Sequence, residues 1–307
     1  MHSINNVYIS GLGAIGMTFA GLIHEADPGC LRVIADEARI QRYTREGTAI
    51  NGKPVAFRYL RSDEGAPPAD LLIIVVKHHQ LEQSIHDIRN FIGENTTILS
   101  LLNGIVSEET IGAAYGAEKL LYSYVVGTDA TREGTHVHYL HQGRIVFGER
   151  SNKELSPRVS AIKDFFDRTG IPCEIPEDMI QKLWWKLMLN VGVNQVSAVL
   201  KAPYGVFRNI GEAQDLMRMA EREVLALSKK AGIGLGEDDI ESSIRIICSL
   251  GAEGKTSMLQ DIETHRKTEV EIFSGTVMEL GRKYGIATPI NDMLFKMIRT
   301  MEKMWDE

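Results

Sequence analysis

Cysteine is scarce in this 307-residue sequence: only Cys30, Cys173 and Cys248 occur, far apart and with no C-x-x-C pair. That excludes a disulfide scaffold and a cysteine-built zinc site, and it fits a reducing, cytoplasmic setting. No run of 18 uninterrupted apolar residues occurs, so no membrane-spanning helix is expected. Met1-His2-Ser3 leads straight into the first expected strand, without a signal-peptide pattern. Positive charge is in deficit too, with 34 Lys+Arg against 41 Asp+Glu and a net charge of −7. Nucleic acid and acidic membrane surfaces are therefore unsuitable partners. Internal repeats and low-complexity tracts are missing. What is present, 44% hydrophobic and 24% charged residues, is the composition of a globular protein with ample core, and the length suits two domains.

The most informative stretch is Val7-Tyr8-Ile9-Ser10-Gly11-Leu12-Gly13-Ala14-Ile15-Gly16. A short apolar strand runs into G-x-G-x-x-G, and a helix-forming run follows, which is the context a dinucleotide-binding turn requires. Gly11 is expected to make the tight turn and Gly13 to let the backbone approach a pyrophosphate. Gly16 is expected to let helix and strand pack closely. The helix N-terminus then offers free N–H groups to phosphate.

Strand and helix alternate through the first half. Leu31 to Ala35 reads as a second strand with Asp36 at its end, twenty residues after Gly16. An acid there accepts hydrogen bonds from ribose hydroxyls and repels a 2′-phosphate, which points to NAD. Arg39 and Arg42 follow on the next helix and could instead clamp a 2′-phosphate. Ala49-Ile50 and Val55-Ala56-Phe57 flank Asn51-Gly52, a hairpin signal. Leu71 to Val76 lacks polar alternation and reads as a parallel strand buried on both faces. Lys77 at its end, and Asn103 after the next strand (Thr96 to Leu102), stand where ligands of open α/β sheets lie. Ser107 is placed to cap the following helix. Leu120 to Val126 gives another strand, and Thr135 to Gly148 reads as a hairpin around Gln142-Gly143. His136, His138 and His141 on it lack companion Cys or clustered carboxylates, so no metal site is assigned. Ser156-Pro157 opens a helix that Gly170 closes, and Pro176 marks the domain boundary.

From Glu177 to Ala202 the pattern is helical. Lys186, Asn190 and Asn194 recur at i, i+4 and differ by only about 40° around the axis, so they form one polar line on an otherwise apolar helix. Buried polar groups are costly without partners, and such a line reads either as a ligand-facing stripe or as amides tying down neighbouring backbone. Asn209 to Ala231 is amphipathic, Gly232 to Gly236 is a loop, and Ser257 to Tyr284 and Pro289 to Trp305 read as further helices.

These pieces together resemble the ketopantoate reductases (2-dehydropantoate 2-reductases) over nearly the whole chain. The carriers are GLGAIG at 11–16, VVK at 75–77, LLNG at 101–104, KLMLNVGVN at 186–194 and TSMLQDIETHRKTEVEIFSG at 256–275. The resemblance implies an α/β fold, with an N-terminal Rossmann-type doubly wound sheet (1–176) followed by an all-α substrate domain (177–307). It implies NADPH-dependent reduction of 2-dehydropantoate to (R)-pantoate, in pantothenate and coenzyme A synthesis. Lys186 would be the general acid, Asn190 and Asn194 would orient the substrate, and Ser257 would hold its carboxylate. Glu269 would accept the substrate hydroxyl, contact the cofactor and help hold Lys186. Gly11, Leu12, Gly13, Ala14, Ile15, Gly16, Asp36, Arg39, Lys77 and Asn103 would serve NADP(H), Asn103 also reaching the substrate, and closure of the two domains would exclude water. The family often carries an arginine at the end of the second strand; Ala35-Asp36-Glu37 stands there instead, which keeps NAD(H) open. A small-molecule 2-oxoacid is the expected partner, a homodimer is plausible, and neither nucleic acid nor membrane is expected. Other readings are another 2-oxoacid reductase, a β-hydroxyacid dehydrogenase, against which the Ser257 to Glu269 segment argues, and a non-catalytic NADP(H)-binding redox sensor.

Overall fold

The computed structural model of the chain describes residues 3–305. Two compact units result, Met1–Met179 and Ile180–Glu307.

In the first unit the strands, in chain order, are β1 (Val7–Ser10), β2 (Leu31–Ile34), β3 (Ala49–Ile50), β4 (Lys53–Pro54), β5 (Tyr59–Leu60), β6 (Leu71–Ile74), β7 (Thr97–Ser100), β8 (Leu120–Thr128), β9 (Thr131–Glu133), β10 (His136–His138), β11 (Gln142–Gly148) and β12 (Cys173–Glu174). Eight of them form one sheet in the order β12-β11-β8-β7-β6-β1-β2-β5. β5, β2, β1, β6, β7 and β8 run parallel. β11 is antiparallel to β8, and β12 runs with β11. The helices are α1 (Ala14–Ala26), α2 (Glu37–Glu46), α3 (Leu81–Ile88), α4 (Ser107–Tyr115) and α5 (Pro157–Thr169).

Side chains alternate across a strand, and both faces of this sheet are covered. Val7, Ile9, Val33, Leu71, Ile73, Leu99 and Leu121 pack with Phe19 and Ile23 of α1 and Phe165 and Phe166 of α5. Tyr8, Leu72, Ile74, Ile98 and Leu120 pack with Leu81 and Ile88 of α3 and Ile111 of α4. That double cover is why β6 reads L-L-I-I without polar alternation. The Asn51-Gly52 hairpin forms, with φ of 49° and 78° at the two turn residues, but its second strand is Lys53–Pro54 and Val55 to Phe57 lie outside it. Ser156 caps α5 through Val159 N–H, with Pro157 at the first position and a left-handed Gly170 closing it.

Three expectations are corrected. Thr135 to Gly148 is not a hairpin. β10 instead turns back on β9 and pairs parallel with β3 in a small sheet, β4-β3-β10-β9, while β11 joins the main sheet beside β8. Alternating patterns give strands without naming their partners, and β8 offers the long apolar edge. Ser107 is not the cap of α4: it is the helix's first residue, and its hydroxyl bonds Ser100 Oγ at 2.8 Å. The run from Ser257 to Tyr284 is not one helix, as described next.

The second unit is helical, with no strand among its described residues: α6 (Met179–Leu200), α7 (Tyr204–Asn209), α8 (Gly211–Lys230), α9 (Glu237–Ser249), α10 (Ser257–Glu263), α11 (Thr276–Tyr284) and α12 (Pro289–Lys303). α6 begins in the last residue of the first unit. Thr264 to Val270 leave the helix, and Glu271–Gly275 re-enter it as a single π turn. No helix among the described residues is long and apolar enough to cross a membrane.

Candidate active site

The parallel strands end together. Ser10 is in register with Ile34 and with Ile74, and Ile74 with Ser100. The glycine turn, Asp36, Lys77 and Asn103 therefore leave the same carboxyl edge of the sheet, where ligands of open α/β sheets sit. Gly11 has φ +108°, and a Cβ there would meet Val75 O at 2.3 Å. At Gly16 a Cβ would meet Gly11 O at 2.1 Å, so this glycine packs the helix onto the turn itself. At Gly13 a Cβ would meet nothing within 4 Å. Gly13 is the N-cap of α1, and no side chain caps that helix. An open wall with uncapped N–H groups fits the pyrophosphate of a dinucleotide. Leu12 is buried, and Ala14 and Ile15 are half-buried beside this wall.

Asp36 is exposed and caps α2, with Oδ1 accepting the Arg39 N–H at 2.7 Å. Its other oxygen stands 3.5 Å from Arg39 Nε. Arg42 is engaged by Glu46 at 3.1 Å. Of the two arginines, Arg39 is thus the one beside the acid that ends β2.

Half-buried Lys77 heads a 3-10 turn, its carbonyl accepting Gln80 N–H at 2.8 Å. Asn103 is half-buried next to Gly104, whose φ is +93°. A group that sequence reasoning passed over stands close by in the chain, at the start of α4. Burial pushes the Glu108 carboxyl up to about 7 against the bonds from its own N–H, the Ser107 hydroxyl and Ser123. The local sequence, Ser107-Glu108-Glu109, gave no sign of a carboxyl held near neutrality.

In the second unit α6 is continuous and carries the expected polar line. Asn190 and Asn194 are 4% and 6% exposed. Asn194 Nδ2 donates to Asn190 Oδ1 at 3.3 Å. Asn194 Oδ1 in turn accepts the Ser257 hydroxyl at 3.1 Å and the Met258 N–H at 3.4 Å. Asn190, Asn194 and Ser257 are thereby assembled into one chain of amides and hydroxyl, although Ser257 lies 63 residues beyond Asn194 in sequence. The reading of these amides as ties for neighbouring backbone is met in part, since Asn194 also holds the Met258 N–H at the start of α10. Thr256, not Ser257, caps α10.

Lys186 begins the line, half-buried between Trp185 and Leu187. Loss of water lowers its ammonium to about 8. Glu269 is half-buried in the non-helical turn before the π turn, and its carbonyl accepts the N–H groups of Ile272 at 3.0 Å and Phe273 at 3.2 Å.

Behind α6 lies a buried polar chain that sequence reasoning missed. Gln195 Nε2 donates to Asn291 Oδ1 at 3.2 Å, and the Ser274 hydroxyl of the π turn bonds both Gln195 and Asn291. Asn291 Nδ2 donates to Glu223 at 2.7 Å, and Glu223 also takes the Ile290 and Asn291 N–H groups of α12. Gln195, Ser274 and Asn291 are wholly buried. Fully satisfied networks of this kind fix a unique packing. The only signal was Gln195 beside Asn194 on an apolar helix. His136 and His138 are exposed, His141 is bonded to Asp129 at 2.9 Å, and no group of metal-binding residues is found among the described residues.

Comparison with known proteins follows these two units. The family model "Ketopantoate reductase PanE/ApbA" matches residues 7–152, and its C-terminal counterpart matches 178–302. A 2-dehydropantoate 2-reductase of Vibrio cholerae is 26% identical over 305 residues, covering 98% of this chain and 99% of the relative. That of Aquifex aeolicus is 25% identical over 299 residues, covering 96% of each. Among solved structures, D-mandelate dehydrogenase with NADH and anilino(oxo)acetate superposes with TM-score 0.86 at 24% identity, covering 98% of this chain and all of the other. A 2-dehydropantoate 2-reductase from Geobacter metallireducens gives 0.84 at 24%, covering 96% and 99%.

Proposed function

The chain belongs to the ketopantoate reductase family, and from that premise we propose that it reduces 2-dehydropantoate to (R)-pantoate with NADPH, in the route to pantothenate and coenzyme A. The observation that carries this reading is the α6 line: a desolvated Lys186 ahead of the Asn190–Asn194–Ser257 chain. Ketone reduction leaves an oxyanion that needs a proton. Lys186, lowered to about 8, holds that proton at neutral pH yet releases it more readily than an ordinary lysine, as a general acid should. Its charge polarises the ketone oxygen before transfer. The two amides and the Ser257 hydroxyl offer donors to substrate oxygens, Ser257 serving the carboxylate, and the Glu269 carboxylate accepts the substrate hydroxyl. When bound, the reduced nicotinamide supplies the hydride. Gly11 to Gly16 would cradle its pyrophosphate, with Lys77, Asn103 and Glu269 as further holding groups. Arg39 would meet the 2′-phosphate, with Asp36 drawn aside onto the α2 N-terminus.

A second reading concerns the cofactor. The exposed Asp36 carboxylate ends β2, where an acid suits the ribose of NADH, and a structural relative carries NADH. One assay tests both readings: initial rates with a panel of 2-oxoacids and both reduced cofactors. We expect the highest kcat/KM with 2-dehydropantoate and NADPH. A higher value with NADH would assign Asp36 to the ribose, and a higher value with an aryl 2-oxoacid would replace the substrate. No turnover with any of them would leave a binding protein.

A further inference from the structure

Glu269 lies where the sequence pattern predicts unbroken helix. Leaving the helix from Thr264 to Val270 deprives backbone N–H groups of their i−4 acceptors, and buried ones must find others. Thr268 finds one on the last helix: its N–H donates to Glu302 Oε1 at 2.9 Å, and its hydroxyl donates to the same oxygen at 2.6 Å. The other oxygen, Oε2, accepts Lys267 Nζ at 2.9 Å and Arg299 at 2.6 Å. Lys267 and Arg299 both reach on to Glu271 Oε1, at 2.7 and 3.0 Å. Thr268 is 2% exposed and Glu302 6%. One buried carboxylate thus grips the two residues before Glu269, and its cation partners grip the residue two beyond. Burial pushes the Glu302 carboxyl up, but the bonds from Thr268 and Lys267 outweigh it and leave it below its ordinary value. Charge-assisted bonds of this kind are short and strong, which suits a group that must hold an irregular turn against the helix its sequence favours.

We propose that Glu302 is a positioning residue for Glu269, fixing the 264–270 turn from α12 so that the Glu269 carboxylate meets the substrate hydroxyl. The inference rests on the role given to Glu269 in the proposed reduction. Glu302 touches neither substrate nor cofactor in this scheme; it acts through the backbone of Thr268. A displacement of about 1 Å at a reacting group can cost as much as about 100-fold, so a loosened turn should be visible in substrate KM.

The test is a double-mutant cycle on the full-length enzyme, reading KM for 2-dehydropantoate and kcat separately. Glu269→Ala should raise KM, and Glu302→Ala should raise it by about 10- to 100-fold. The double variant should be no worse than Glu269→Ala alone, because coupled sites are non-additive. Losses that multiply in the double variant would overturn the inference and leave the function untouched, as would a Glu302→Ala enzyme with unchanged KM beside an impaired Glu269→Ala. An unchanged KM in Glu269→Ala would remove the role of Glu269, and this inference with it. Should Glu302→Ala fail to fold, Thr268→Val carries the same cycle. It removes the hydroxyl bond to Glu302 and keeps the N–H, and its smaller rise in KM must likewise vanish in the Glu269→Ala background.

Discussion

A Cβ added at Gly13 would meet nothing within 4 Å, whereas one added at Gly192 of α6 would meet Glu221 Oε1 at 2.6 Å. The first glycine opens a space and the second makes room for a neighbour. The same contrast runs through the two units. The first prepares its candidate site from backbone: strand ends in register, a turn of positive φ, and uncapped N–H groups. The second prepares its own from side chains drawn from distant segments and held by buried polar bonds. The backbone site should therefore be broken by adding atoms, and the side-chain site by removing them.

The largest expected effect is on the side-chain site. Lys186→Ala should lower kcat by about 10²- to 10⁴-fold, the range of a lost general acid, while cofactor affinity stays nearly unchanged. With Lys186 at about 8, the wild-type kcat should fall as pH rises through that value, because the donor is then deprotonated. Steady-state rates between pH 6 and 10 check both points. A variant that keeps its rate and its alkaline fall would assign the proton to water or another group.

Adding atoms to the backbone site is next. Gly13→Val should weaken cofactor binding by about 10- to 100-fold for each phosphate bond lost, at about 1.5–3 kcal/mol per charge-assisted bond, with little change in Tm because the side chain enters open space. Gly16→Ala should do the reverse in kind. Its Cβ would overlap the Gly11 carbonyl, and overpacking costs about 1–3 kcal/mol. Cofactor titration beside thermal melts separates the two. A Gly13→Val protein that melts early yet still binds would invert the comparison.

The smallest effect is a test of how the second unit fills its core. Burial holds the Glu221 carboxyl well above its ordinary value, outweighing the bond from Ser243. Ser243 Oγ lies 2.8 Å from both Glu221 oxygens and from Ile240 O. One hydroxyl proton cannot serve three acceptors, and a protonated Glu221 resolves this by donating to Ser243, which donates to Ile240. A raised carboxyl makes the folded state bind its proton more tightly. The resulting stability is fully present below the unfolded value of about 4.5 and is lost as pH rises through the folded value. Glu221→Gln, neutral throughout, should gain stability relative to wild type as pH rises from about 5 to 8. Denaturant midpoints at several pH values decide it, and parallel curves would mean that Glu221 is ionised in the fold.

Much of the first unit was readable because its signals are local. A strand–glycine–helix junction, the apolar run Leu71 to Ile74 and the Asn51-Gly52 turn each state a backbone conformation within a few residues. The Lys186–Asn190–Asn194 line was readable for the same reason, since a helix places i and i+4 on one side. Pairing was not readable: Thr135 to Gly148 reads as two strands, but nothing local in it states that β10 takes β3 as its neighbour and β11 takes β8. Nor was the break at Thr264 to Val270, where local pattern favours helix.

What the sequence determined alone was therefore periodicity and turn chemistry, and with them the fold class and the residues on the polar line. The tertiary structure decided which buried polar groups answer one another. Ser257 meets Asn194 across 63 residues, Asn291 meets Glu223 across 68, and Thr268 meets Glu302 across 34. A buried polar group must find a partner wherever packing provides one, and packing is a property of the whole fold that no local window contains.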